Sequence, residues 1–208
     1  MKYSLLFIAP LLAASSIAPN KSVGSDTYSL SGQGDRFSLR EDNFVKEDKF
    51  TFSSHVSFAS GQATGLVFGA KENDHYWVFN VDRIENRTKL LYFTLEEGET
   101  KASVLEEEYY IGNDKTTESE FNMINLRLPY NQTFDLKVVI TPEEGHTYAE
   151  FYIDNIRRFG VDNVIDLDTY EDISYEGGNI GYNVFNADVS FANNYVTEND
   201  VIYYSELY

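Results

Sequence analysis

Bulky apolar residues alternate with small or polar residues along several segments of this chain, and this two-residue period constrains its fold most. Phe50, Phe52, Val56 and Phe58 share one parity, and residues 134–140 and 148–154 repeat the pattern. Such a period places successive side chains on opposite faces of a strand. Turn-forming residues separate the segments, as at Thr141–Gly145. The pattern therefore predicts an all-β chain that folds as an antiparallel sandwich or barrel.

Residues 1–19 have the layout of a secretory signal peptide. Lys2 is followed by an apolar run from Leu5 to Ala14, which is too short to span a bilayer, and then by small residues as far as Ala18. We expect cleavage between Ser16 and Asn20 and release of the mature chain as a secreted, extracellular protein. The alternative is a buried N-terminal element of the domain.

The rest of the chain is predicted to form one domain. Residues 20–35 are polar and contain Gly24, Gly32 and Gly34, so they are predicted to be a leader. Residues 36–200 carry the alternating segments and are long enough to bury one sizeable core. Residues 201–208 are predicted to be a C-terminal tail.

Composition excludes several classes of partner and fold. The chain has no cysteine, so a disulfide framework and thiolate metal sites are ruled out. Sixteen tyrosines and 15 phenylalanines supply large rings for a core packed between sheets. The net charge of -18 argues against nucleic acid and anionic membranes as partners.

Cofactor and metal sites are not predicted. His55, His75 and His146 share no ligand spacing, and no EF-hand loop is present in the sequence. A structural calcium ion stays open as an alternative, because Asp, Asn and Glu are common in the turns. The acidic run Glu106–Glu108 is interpreted as a solvated surface.

Three Asn-x-Ser/Thr sequons predict N-glycosylation of a secreted chain. Asn86 lies in the turn between two predicted strands, and the other two acceptors are Asn131 and Asn20.

The segment from His75 to Asp82 supplies the candidate carbohydrate contacts. If Trp77 faces the core, then Tyr76, Asn80 and Asp82 share the opposite face of the strand. Amides and carboxylates suit neighbouring hydroxyl groups because they accept or donate at two points. Three further polar residues complete the predicted set: Glu72 nearby, and Asn186 and Asp188 on a neighbouring strand end. For Asp82, the role of a turn-capping acid is an equal alternative.

The order of the segments resembles the family 66 carbohydrate-binding module, which accompanies levanases and inulinases of glycoside hydrolase family 32. The resembling pieces are Gly65-Leu-Val-Phe-Gly-Ala, Tyr76–Asp82, Lys89-Leu-Leu-Tyr-Phe, Phe134-Asp-Leu-Lys-Val, Glu150-Phe-Tyr-Ile-Asp and Gly181-Tyr-Asn-Val-Phe-Asn-Ala-Asp-Val-Ser-Phe. The chain departs from the family at Gly69, where many members carry arginine, and in a longer segment between Leu105 and Phe134. The resemblance implies a concanavalin-like antiparallel jelly-roll β-sandwich that binds terminal fructose of a fructan.

The resemblance does not extend to catalysis. Family 32 hydrolases use a Trp-Met-Asn-Asp-Pro-type motif, an Arg-Asp-Pro motif and a Glu-Cys motif, and this sequence contains none of them. We therefore predict a non-catalytic binding module. Two alternatives stay open, an adhesion sandwich that contacts protein and an N-terminal fragment of a family 32 β-fructosidase. The second rests on Tyr203–Tyr208, which resembles the lead-in to a family 32 catalytic domain, so a linked or neighbouring hydrolase domain is a predicted partner.

Overall fold

The computed structural model describes residues 27–45, 47, 49–71, 74–85, 87–96, 99–109, 133–143, 146–162, 175–198 and 201–204. Within these ranges the chain forms ten strands, which pair antiparallel throughout and confirm the predicted all-β fold. The strands are β1 (Tyr28–Val45), β2 (Phe50–Lys71), β3 (His75–Asp82), β4 (Arg87–Glu96), β5 (Glu99–Tyr109), β6 (Thr133–Glu143), β7 (His146–Ile153), β8 (Ile156–Asp162), β9 (Gly177–Glu198) and β10 (Val201–Tyr204).

The long strands β2 and β9 run side by side and belong to both layers of the fold. Along its other edge, β2 pairs with β6 over residues 50–57 and with β3 over residues 63–71. We call β3, β4, β5, residues 63–71 of β2 and the part of β9 that pairs with them the β3 layer. We call β6, β7, β8, residues 50–57 of β2 and the part of β9 that pairs with them the β6 layer. Strand β1 pairs with residues 177–191 of β9, on the edge of β9 away from β2.

The passage from one layer to the other depends on Gly61 in the middle of β2. Its φ is 101°, and the ladder with β9 shifts register just before it, between Phe58 and Ser60. A Cβ atom at Gly61 would lie 2.1 Å from the Asn186 carbonyl oxygen, so only glycine fits. Opposite it, Asn186 has a φ of 47°. The paired irregularities let two continuous strands bend without breaking the sheet.

Aromatic rings from the two layers meet in a common core. Phe79 of the β3 layer lies 5.1 Å from Phe151 of the β6 layer, and Phe68 lies 6.0 Å from the same ring. Trp77 is 1% exposed and packs beside Phe68, so it meets the condition on which the predicted outward set depends. Burying one such ring contributes about 1.5–3 kcal/mol. The two layers therefore form a sandwich held together without disulfides.

Alternation along the strands is confirmed in β2, β6 and β7. The even-numbered residues 50–58 of β2 are buried, as are Phe134, Leu136, Val138 and Ile140 of β6. Their odd-numbered neighbours in β2 lie on the outward face of the β6 layer.

The predicted boundaries need correction at both ends of the sandwich. Strand β1 begins at Tyr28, so the second half of the predicted leader 20–35 is strand. Tyr28 stacks on the buried ring of Tyr182 at 5.3 Å, which holds this glycine-containing segment against the core. At the other end, residues 201–204 of the predicted tail pair with β9 as strand β10.

Candidate functional site

Side chains along strand β3 alternate between the core and the outward face of the β3 layer. Trp77, Phe79 and Val81 enter the core, and Tyr76, Asn80 and Asp82 take the opposite parity, as predicted. The three outward residues are nevertheless only 9%, 5% and 5% exposed. The face is therefore a largely closed surface, and the partners of each polar group decide what it can bind.

Tyr76 lies in an aromatic stack that crosses this face. Its ring is 4.6 Å from Phe93 of β4 and 4.8 Å from Phe37 of β1. Because β1 and β4 lie on opposite sides of β3 in the sheet, the two rings cover Tyr76 from both sides. Its hydroxyl donates to Oδ2 of Asp35 at 2.9 Å. The structure therefore places Tyr76 inside a packed network and leaves its ring no free face for a sugar.

Asp35 is the residue of this face that the sequence reasoning missed, because it fell in the predicted leader. Its Oδ1 accepts from the Asn183 amide nitrogen at 2.5 Å, and its Oδ2 accepts from Tyr76. Burial of the carboxyl raises the pKa of Asp35 above 3.8, although both hydrogen bonds and the nearby Arg36 charge oppose that shift. Burial and the Asp35 charge together raise the pKa of Tyr76 well above 10.0, so the phenol keeps its proton.

Asn80 occupies the middle of the outward face, in register with Gly65 on β2 and Lys89 on β4. Beyond Gly65 the row continues to Asn183 on β9. Two amide side chains thus flank a residue without a side chain, about 10 Å apart at two strand spacings. Within the described part of the chain, no hydrogen bond holds the side-chain amide of Asn80. Beside it, the ammonium of Lys89 contacts the carboxylate of Glu85.

Asp82 closes the turn between β3 and β4. Its Oδ1 accepts from the backbone nitrogens of Ile84 at 2.9 Å and Glu85 at 2.8 Å. Its Oδ2 accepts from the Gln62 amide at 3.0 Å. These bonds are those of an Asx turn, the second of the two roles considered for Asp82. Both of its oxygens are therefore occupied within the chain.

Asn186 and Asp188 lie at the bend between the layers, not on a strand next to β3. Strand β9 is separated from β3 by β2, so the predicted neighbourhood is wrong. Both residues are exposed, and both hold the bend. Asn186 Oδ1 accepts from the Gly34 backbone nitrogen at 2.8 Å, and Asp188 Oδ2 accepts from the Ser60 hydroxyl at 2.7 Å.

Several predicted residues lie outside the described part of the chain. They are Glu72 and the three sequon asparagines Asn20, Asn86 and Asn131.

The described residues contain no cluster of three or more His, Asp or Glu side chains placed to hold a metal ion. They likewise include no helix of the length and apolarity needed to cross a membrane.

Comparison with known proteins identifies the fold. No family model matches the chain, and a search of curated proteins finds no match. Among solved structures, the carbohydrate-binding module CBM66 from Bacillus subtilis matches with a TM-score of 0.55 at 20% identity, over 81% of this chain and 84% of that one. A Bacillus subtilis protein of unknown function with a galectin-like fold matches with a TM-score of 0.52 at 9% identity, over 83% and 81% of the two chains. The chain therefore has the lectin-like β-sandwich fold of family 66 carbohydrate-binding modules, as the order of its strand segments predicts.

Proposed function

We propose that this chain is a secreted, non-catalytic carbohydrate-binding module whose ligand is the terminal fructose of levan, inulin or a sucrose-type glycan. The observation that carries the proposal is the shared fold with the CBM66 module from Bacillus subtilis. Because unrelated functions can share one fold, the ligand must be argued from the side chains of the site.

Asn80 is the proposed anchor of the ligand. Its amide can donate and accept at once, which matches the neighbouring hydroxyl groups of a sugar ring. Lys89 and Glu85 lie at the more accessible end of the same face, where their side chains are 15% and 36% exposed. Charged groups form stronger hydrogen bonds to hydroxyls than neutral ones do. A ligand would therefore enter from the β3–β4 turn and meet Lys89 and Glu85 before Asn80.

The other residues predicted from the sequence have one of two roles: some stabilise the binding face through internal hydrogen bonds, and others could contact a ligand only at its edge. Tyr76 and Asp82 support the face from within through their internal hydrogen bonds. Glu72 remains a proposed contact on the sequence argument alone. Asn186 and Asp188 are exposed at the bend and are proposed only as peripheral contacts.

Binding without cleavage is the second part of the proposal. Glycoside hydrolysis needs two carboxyl groups about 5–10 Å apart on either side of the bond. On the described outward face, the carboxylates of Asp35 and Asp82 are held in internal hydrogen bonds. The sequence also lacks the family 32 motifs. Such a module would raise the local concentration of substrate for a linked or neighbouring hydrolase.

A protein-contacting adhesion sandwich is less well supported. It requires a contiguous exposed apolar patch. In the described residues the exposed large apolar side chains are Val45 at the end of β1 and Ile84 in the β3–β4 turn. They belong to separate elements and form no such patch.

Affinity electrophoresis of residues 20–208 tests the proposal against levan, inulin, β-glucan and mannan. We expect retardation by a fructan, and weaker retardation of Asn80→Ala and Lys89→Ala. For Asn80→Ala, the loss of two neutral hydrogen bonds at about 1 kcal/mol each should weaken binding by roughly 10- to 30-fold.

Lys71→Ala is the matched control, since Lys71 is an exposed lysine at the end of β2 that pairs with Glu176. It should migrate as the parent does, and the fluorescence of buried Trp77 reports whether each variant is folded. Equal retardation of all variants would show that Asn80 does not contact the ligand. Retardation by none of the four polymers would contradict the fructan proposal.

Secretion and glycosylation are part of the same proposal. Residues 1–19 would be removed on export, and Asn86 and Asn131 would carry glycans. Mass spectrometry of the protein collected from a eukaryotic culture medium tests both. We expect an N-terminus between Ser16 and Asn20. We also expect the mass to fall on treatment with an amidase that hydrolyses the bond between asparagine and an N-glycan. An intact Met1 in cell lysate, with nothing in the medium, would contradict secretion.

A further inference from the structure

The outward face of the β6 layer carries a polar hollow on the side of the sandwich opposite to Asn80. Its principal walls come from β2, β6, the β7–β8 turn and β9: His55, Asp135, Lys137, Asn155, Asn193 and Tyr195. The odd parity of β2 and β6 explains this set, because the even-numbered residues of both strands enter the core. In register, His55 lies beside Asp135, and Ser53 lies between Lys137 and Tyr195.

Two backbone irregularities shape the hollow. The β2–β9 ladder shifts between Ser53 and His55, and Asn193 in the bulge has a φ of 47°. A bulge of this kind redirects a side chain out of the regular ladder. On the far wall, Asp154 and Asn155 form the two-residue β7–β8 turn with φ values of 49° and 62°. Asp154 Oδ1 accepts from the Asp135 backbone nitrogen at 2.8 Å, which fixes that turn against β6.

Four of the polar side chains of the hollow are held in place by contacts within the chain. The imidazole Nδ1 of His55 contacts the carboxylate of Asp135. The Lys137 ammonium donates to Asn155 Oδ1 at 3.0 Å and lies 4.3 Å from the centre of the Tyr152 ring. Preorganised groups lose little freedom on binding, so more of their interaction energy is available for the ligand.

We propose that this hollow is a second saccharide site, which takes one ring of a neutral glycan. The ammonium of Lys137 has three donors and the carboxylate of Asp135 has several acceptor positions, so both retain capacity for a ligand. Donors and acceptors side by side match hydroxyl groups, which do both. The formal charges of Lys137 and Asp135 cancel, so the hollow favours a neutral ligand over a strongly charged one, and the described residues contain no metal-binding cluster.

The size of the hollow limits the ligand. Its volume is about 170 Å³, below the roughly 300–1,000 Å³ of drug-sized ligand pockets. The hollow therefore suits a single ring with its chain leading away into solvent. Because the hollow and the Asn80 face lie on opposite outward faces, one molecule could hold two glycan ends. This second site depends on its own residues and stands even if the first fails.

Amide chemical shifts of residues 20–208, titrated to millimolar saturation with fructose, sucrose, galactose and mannose, test the second site. We expect at least one sugar to shift the amides of residues 53–55, 135–137 and 193–195. Lys137→Ala and Tyr195→Ala should each weaken that binding about tenfold, which is the effect of losing one charge-assisted bond or one ring contact. The control Lys71→Ala should leave it unchanged.

The two sites are separated in the same spectra, because the first site reports through residues 76–82 and 87–94. Shifts there without shifts around the hollow would overturn the second site and leave the first intact. A response of the hollow to sulfate, with none to the four sugars, would also overturn it. Sugar-induced shifts at the hollow that survive both substitutions would contradict the assigned walls.

Discussion

Replacing Tyr76 by phenylalanine removes one hydroxyl from the network that joins β1, β3 and β9. The lost hydrogen bond is 2.9 Å long and ends on the carboxylate of Asp35. Hydrogen bonds to charged groups contribute about 1.5–3 kcal/mol. Tyr76→Phe should therefore lower the free energy of unfolding by about 2 kcal/mol, which is a shift of about 1 M in the urea midpoint for a slope near 2 kcal/mol/M.

Urea unfolding followed by the fluorescence of Trp77 measures this change, since Trp77 is the single tryptophan and is 1% exposed. The matched control is Tyr28→Phe, because the structure gives the Tyr28 ring a stacking partner in Tyr182 but no hydrogen bond to a described residue. It should change stability by less than about 0.5 kcal/mol. In a double-mutant cycle, Tyr76→Phe and Asp35→Asn should couple by about 1 kcal/mol or more. Equal small losses for Tyr76→Phe and Tyr28→Phe would refute the network.

Two further predictions concern the same scaffold. The pKa of Asp35 is raised above 3.8 in the folded state, so folding favours its protonated form. The stability of the parent relative to Asp35→Asn should therefore be greatest below pH 3.8 and fall as the pH rises through the raised pKa. Urea titrations at several pH values measure this difference, and a difference that stays constant or grows with pH would contradict the burial of this carboxyl. Gly61→Ala should lower the free energy of unfolding by about 2 kcal/mol or more, because its Cβ would lie 2.1 Å from the Asn186 carbonyl oxygen. The control Gly34→Ala, at a φ of 71° with nothing within 4 Å of the added Cβ, should lower it by about 1 kcal/mol through backbone strain. Equal thermal stabilities of the two variants would show that the bend tolerates a side chain.

Alternation in the sequence was sufficient to predict which side chains of β2 and β6 enter the core. That pattern is local, and it depends only on the period of a strand. In β3 the period fixed only that Tyr76, Asn80 and Asp82 share the face opposite to Trp77, and the structure shows that Trp77 is the buried side. The shared fold with CBM66 followed from the order of several such segments.

Long-range partners could not be predicted in the same way. Tyr76 and Asp35 are 41 residues apart, and the partner strand β1 contains glycines and polar residues that are typical of a leader. The neighbours of Asn186 could not be predicted because β2 pairs with both β3 and β9. A local residue pattern carries no information about such pairing. The hollow likewise combines residues from four separate elements with a bulge at Asn193, and these depend on long-range strand pairing.

Calorimetric titrations of residues 20–208 with a short levan oligosaccharide, an inulin oligosaccharide and sucrose, each followed by analysis of the recovered sugar, test the central claim most directly. The claim is that the outward face of the β3 layer holds a glycan without cleaving it. We predict saturable heat of binding, a weaker response from Asn80→Ala, and an oligosaccharide recovered intact. Free fructose in the recovered sample, or an absence of heat with levan, inulin and sucrose alike, would contradict the claim.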